Sequence, residues 1–143
     1  METQTNNVAI SILLIEDDEV DVQDVQRQFK ILKSPIKFYI AKNGVDALDQ
    51  LYGRNNKKKI LPIPHAIILD TNMPKMDGIE FLEILRSDSD FDNTYVFMLT
   101  GEYTTREKLD THHLSVTGRI VKPLLADDVY HIYCIISGRH QEE

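Results

Sequence analysis

The chain has one cysteine, Cys134, no tryptophan, and no apolar run approaching the ~20 residues that span a bilayer. A lone thiol excludes an intramolecular disulfide and any cysteine-rich zinc site. The N-terminal METQTNNVAI has neither a basic stretch nor a long apolar one, so it does not read as a signal peptide. Basic residues are also short: 16 Lys+Arg stand against 23 Asp+Glu, a formal charge of −7. A net acidic field repels a phosphate backbone, which argues against nucleic acid as a partner. Together these absences lead us to expect a reduced, soluble, cytoplasmic protein with no membrane insertion.

What is present suits a single globular domain over residues 1–143, with a core of roughly 11–137 between short termini: 42% of the chain is hydrophobic and 27% charged. Short apolar runs predict strands at Ile10 to Ile15, Ile36 to Ala41, Ala66 to Leu69, Tyr95 to Leu99 and Arg119 to Val121. The near-continuous apolarity of SILLI and AIILD is the mark of strands buried on both faces, as in a parallel sheet. Between the strands, Val22, Val25, Phe29 and Leu32 form one helical stripe, and Val45, Leu48 and Leu51 form another after a candidate N-cap, Asn43. Ile79, Leu82 and Leu85 follow a capping box of Asp77 and Glu80. Thr104 and Glu107 offer a weaker box for a fourth helix, and Val129, Ile132 and Ile136 mark the last. The order is (βα)5, an α/β protein with a doubly wound sheet and helices on both faces. The basic stretch Arg54 to Lys59 reads as a solvated loop.

In such a sheet, ligands gather at the carboxyl ends of the strands. Glu16, Asp17 and Asp18 follow the first strand, and Asp70 ends the third. Asp18 suits a helix cap. Glu16, Asp17 and Asp70 converging on one edge would repel one another unless a cation offsets them. Magnesium answers that need, with oxygen ligands, retained waters and one or two carboxylates. Thr100 and Lys122 end the fourth and fifth strands at the same edge. A carboxylate nucleophile, a divalent cation, a hydroxyl and an ammonium together form a set for phosphoryl transfer.

The segments LLIEDD, ILDTNMPKMDG, FMLTG and GRIVKPL, in this order and spacing, resemble the receiver domain of bacterial two-component response regulators. The resemblance runs from about Ser11 to Ser137 and implies a flavodoxin-like fold. It implies that Asp70 accepts a phosphoryl group from a sensor histidine kinase, with Asp17, Asp70 and the Asn72 backbone carbonyl on Mg2+ and Glu16 beside them. By the same resemblance Thr100 is the switch hydroxyl, Lys122 binds phosphate, and the Lys122–Pro123 bond is cis. Asn72 and Glu102 fall where the family modulates autodephosphorylation. The resemblance further implies a stand-alone relay, working through a target protein or a histidine phosphotransfer domain.

One position departs from the family. Arg119 stands where an aromatic residue turns inward on activation, and a guanidinium does not bury as Tyr or Phe does without a paired anion. The coupled threonine–aromatic switch is therefore not expected to carry over, and Tyr103 reads as a surface tyrosine. Two rival functions stand as alternatives that the residues disfavour, with Arg119 the one feature that suits the second of them. An aspartate-nucleophile phosphatase needs a second Asp where this chain has Asn72. A phosphorylation-independent receiver-like module would ordinarily have lost the acceptor Asp or the Lys. His131 and Cys134, three apart, are expected on a packed helix face, not in a zinc site.

Overall fold

The structure, a computed structural model, describes residues 9–70, 78–101 and 115–142, with side chains described as far as residue 138. Five strands form one parallel sheet: β1 (Ile10–Ile15), β2 (Ile36–Ala41), β3 (Ala66–Asp70), β4 (Tyr95–Thr100) and β5 (Gly118–Val121). Their order is β2-β1-β3-β4-β5, that of the flavodoxin-like fold. Helices α1 (Glu19–Phe29), α2 (Gly44–Tyr52), α3 (Gly78–Arg86) and α4 (Ala126–Glu142) cover the two faces.

Alternation along the strands divides the core in two. Ile12, Leu14, Ile68, Phe97, Leu99 and Ile120 pack with Val25 and Phe29 of α1 and with Val129, Ile132 and Ile136 of α4. Leu13, Ile15, Ile67, Leu69, Val96 and Met98 pack instead with Ala47, Leu48 and Leu51 of α2 and with Phe81, Leu82 and Leu85 of α3. A strand covered on both faces has no polar side to show, which is why SILLI and AIILD carry no alternation.

Local chemistry sets the helix ends. The Asp18 carboxylate accepts from the N–H groups of Val20 and Asp21 and caps α1. Asn43 caps α2 by accepting from Asp46 N at 2.9 Å. Gly53 ends α2 at φ 71°, and a Cβ there would come within 2.9 Å of the Lys59 Cβ. At the end of α3 the Arg86 guanidinium donates to Phe91 O at 2.7 Å, Thr94 O at 3.0 Å and Ser115 O at 3.1 Å.

Three expectations need correction. Leu32 lies beyond α1, in a turn whose N–H bonds to Phe29 O, so the fourth residue of that stripe is not helical. Val45 is exposed, and Ala47 fills the place in the core that periodicity gave it. His131 and Cys134 face solvent, because the buried face of α4 is set by Val129, Ile132 and Ile136. The expected helix from Thr104, Asp77 of the capping box, Tyr103, and the site candidates Asn72 and Glu102 lie outside the described residues.

Candidate functional site

At the carboxyl ends of β1 and β3, next to where the strand order reverses, three carboxylates meet. Ligand oxygens of Glu16, Asp17 and Asp70 all lie within 4.8 Å of one another. β1 and β3 are direct neighbours, with Ile15 opposite Leu69, so the residues that follow them must share the edge. Glu16 is further fixed by its own N–H, which donates to Ala41 O at 2.9 Å. Glu16 and Asp70 are each only 3% exposed, whereas Asp17 faces solvent.

Burial and crowding show in the titration of this group. Glu16 is pushed up to about 8, first by burial and then by the adjacent Asp70, although the Asp18 N–H that donates to its Oε2 at 3.1 Å works the other way. Its other oxygen, Oε1, is buried and has no hydrogen-bond partner among the described groups. A partnerless buried carboxylate oxygen within an all-oxygen cluster fits a hard divalent cation, for which these three side chains are the candidate ligands among the described residues.

The positive counterpart is Lys122, whose Nζ lies 3.1 Å from Asp70 Oδ1. Burial works to lower its pKa, but the Asp70 hydrogen bond, with the charges of Asp70 and Glu16, outweighs this and the net shift is upward. The Lys122 N–H donates to Thr100 O at 3.0 Å, holding the ends of β4 and β5 together. Thr100 is buried and ends the strand next to Asp70, which pairs with Leu99. The Lys122–Pro123 peptide bond is cis.

The edge thus brings Glu16, Asp17, Asp70, Thr100 and Lys122 together. Arg119 stands apart: it pairs with Met98, two residues below Thr100, half-buried on the face opposite Ile120. Asp21 and Asp24 were missed in the sequence. With Glu16, Lys122 and Leu99 they line a cavity of about 110 Å³ between α1 and the Pro123 turn. Asp21 has a raised pKa, from burial first and then from Asp18. Their signal was present as the spacing 18, 21, 24, which aligns acids on one helix face.

Known proteins share this fold. The chain is 29% identical over 132 residues to the response regulator Rre1 of Synechocystis, a match covering 92% of this chain and 53% of that protein. It therefore spans about half of Rre1's length. A two-component response regulator from Legionella pneumophila superposes with a TM-score of 0.81 at 47% identity, covering 90% of this chain and 98% of that one. The Mn(2+)-bound form of response regulator Rcp1 superposes with a TM-score of 0.69 at 27% identity, covering 89% and 91%. The family model for the response regulator receiver domain matches residues 12–133, from within β1 into α4, and so takes in every strand and the whole acidic edge. With the fold, the edge and this match in agreement, the chain belongs to the response regulator receiver domain family.

Proposed function

We propose that Asp70 is the phosphoacceptor of a two-component phosphorelay, taking a phosphoryl group from the phosphohistidine of a sensor histidine kinase. The observation that carries this reading is the buried Asp70 carboxylate, held 3.1 Å from the Lys122 ammonium beside Glu16 and Asp17. In the transfer an Asp70 oxygen attacks phosphorus, a P–O bond forms, the P–N bond breaks, and the imidazole leaves and takes up a proton from water. Lys122 orients Asp70 before attack and then neutralises an oxygen of the acyl phosphate. The Thr100 hydroxyl donates to another. Glu16, Asp17, Asp70 and the Asn72 backbone carbonyl would hold magnesium, which when bound supplies charge neutralisation at the phosphoryl oxygens.

The phosphoryl group adds roughly −1.5 to −2 charge to the edge, and that charge is the signal. Output then passes to a target protein or to a histidine phosphotransfer domain. Catalysis is confined to the protein's own phosphorylation and dephosphorylation. Arg119, at the position of the family's aromatic switch, sets this receiver's output apart from the usual coupling. Asn72 and Glu102, two residues beyond Asp70 and Thr100 in sequence, govern the access of hydrolytic water.

Intact-protein mass spectrometry after incubation with acetyl phosphate tests the reading. A magnesium-dependent phosphoryl adduct, absent in Asp70→Asn, is the expected result. Followed over time, Asn72→Ala and Glu102→Ala should alter the rate at which the adduct is lost. No adduct after rapid acid quenching, with this donor and a second one, would replace the relay with a phosphorylation-independent interaction module.

A further inference from the structure

The basic residues of this acidic chain are not spread evenly. Eight of the 16 lie at one corner, where the amino ends of the strands meet the β2 edge. Arg27 closes α1, Lys30 and Lys33 follow in its turn, and Lys37 is the second residue of β2. Arg54 and Lys57 to Lys59 lie between α2 and β3. That connection ends at His65, whose N–H donates to Ser11 O, and Ser11 pairs with Lys37, which fixes both segments at the same end of the sheet. All eight are exposed. Arg27 pairs with Asp24, and Lys57 reaches Asp46 in the first turn of α2, which turns its ammonium away from this end, but Lys30, Lys33, Lys58 and Lys59 have no carboxylate partner among the described residues. Acids also stand on the α2 side of this corner: Asp49 accepts from Asn55 Nδ2 at 3.0 Å, and Asp88 accepts from the Tyr52 hydroxyl, whose ring lies under Arg54.

Apolar side chains are exposed among these cations. Leu61 is 68% exposed and Ile63 39%, on the Pro-flanked turn directly after Lys59, and Ile31 is 40% exposed between Lys30 and Lys33. Beside Arg27 and Lys30 opens a groove of about 640 Å³ with Phe29, Leu32, Ile36 and Phe38 among its lining.

We propose that this corner is a docking surface for an anionic lipid bilayer, on which the protein adsorbs without spanning; no described helix is long and apolar enough to cross a membrane. Protein interfaces favour Arg and aromatic side chains and are poor in Lys. Here lysines outnumber arginines six to two, and the nearby Tyr39 and Tyr52 rings are covered by Lys37 and Arg54. Nucleic acid admits side chains such as Leu61 and Ile63 only between unstacked base steps, at a cost of roughly a few kcal/mol per step. An anionic bilayer accepts both, attracting lysines at its surface and taking leucine and isoleucine into the headgroup boundary. The acidic edge lies about 20 Å away along the six residues of β1. That is beyond a Debye length of about 8–10 Å, so its charge does not cancel the attraction. Adsorbed in this way, the protein presents Asp70 to the solvent side.

Co-sedimentation of the full chain tests the proposal, using vesicles of equal parts phosphatidylglycerol and phosphatidylcholine against vesicles of phosphatidylcholine alone. Retention on the first only, weakening as salt rises, is expected. Each double variant, Lys58→Ala/Lys59→Ala and Lys30→Ala/Lys33→Ala, should lower the partition coefficient about thirtyfold, from roughly a fivefold contribution per lysine. Leu61→Ser should weaken it without changing the salt dependence. Unaltered adduct formation with acetyl phosphate in these variants would show that the fold is intact. Absence of retention at low salt, equal retention on neutral vesicles, or unchanged retention in both double variants would overturn the proposal. Binding of duplex DNA without vesicle binding would assign the corner to nucleic acid instead.

Discussion

Replacing Asp70 by Asn should abolish phosphorylation and at the same time make the metal-free protein more stable. Asp70 and Glu16 are buried carboxylates in one cluster, with Lys122 as the ammonium facing them among the described residues, and burial together with Asp70 pushes Glu16 up to about 8. The substitution would remove one buried charge. The new amide would also place an N–H donor near Glu16 Oε1, which has no hydrogen-bond partner now, and satisfying a buried acceptor is worth about 1–3 kcal/mol. Against this stands the lost Lys122–Asp70 ion pair, with the lysine side chain 34% exposed. A partly solvated pair of that kind contributes about 1 kcal/mol or less. The net gain of about 1 kcal/mol corresponds to a rise in Tm of roughly 2–6 °C for a domain of this size. Thermal unfolding followed by circular dichroism, with EDTA and then with magnesium, reads both halves of the reasoning. Magnesium should raise the Tm of the parent and leave the variant nearly unmoved. If Asp70→Asn melts below the parent in EDTA, the acidic edge is not a source of strain and the reasoning fails.

Two further outcomes follow from the geometry. Lys122→Met keeps the aliphatic stem but removes the charge beside Asp70; losing a charged hydrogen bond of about 1.5–3 kcal/mol should slow adduct formation from acetyl phosphate roughly tenfold to a hundredfold. An unchanged initial rate would remove Lys122 from the transfer step. Tyr52 is raised to about 12, by burial and then by its hydrogen bond to Asp88. A raised folded-state pKa means that the contribution is complete below the ordinary tyrosine value of 10.0 and is lost as pH climbs toward about 12. Urea midpoints across that window should fall less in Tyr52→Phe than in the parent, and parallel curves would refute the assignment.

The strands were legible because parallel strands buried on both faces leave short, unbroken apolar runs that little else produces. β3 and β4 each run one residue further than apolarity indicates, to Asp70 and Thr100, because backbone pairing continues after the side chains turn polar. β5 begins at Gly118, which no hydrophobicity pattern could include. A Cβ there would stand 3.3 Å from the Phe97 ring. Helix stripes told less about depth than about period, since Val45 has the right spacing and is still exposed. Convergence of Glu16, Asp17, Asp70, Thr100 and Lys122 followed from the architecture alone, because strand order puts those ends side by side. The cavity shared by Asp21, Asp24 and Lys122 did not, since it depends on how α1 sits over the Pro123 turn. The basic corner was hidden for a related reason: its cations come from separate segments that only the sheet register brings to one end.

The Arg86 guanidinium has a consequence for motion. One rigid plane holds carbonyls of Phe91, Thr94 and Ser115, so the approach to β4 and the approach to β5 hang from the same point. The Thr117 hydroxyl, accepting from Val96 N at 2.9 Å, adds a second tie at that level. A displacement started by a new charge at Asp70 would therefore meet strands anchored at their far ends. Arg86 would then serve as the fulcrum, and the travel would fall to the lever arm at the other end, where Thr100 and Lys122 stand.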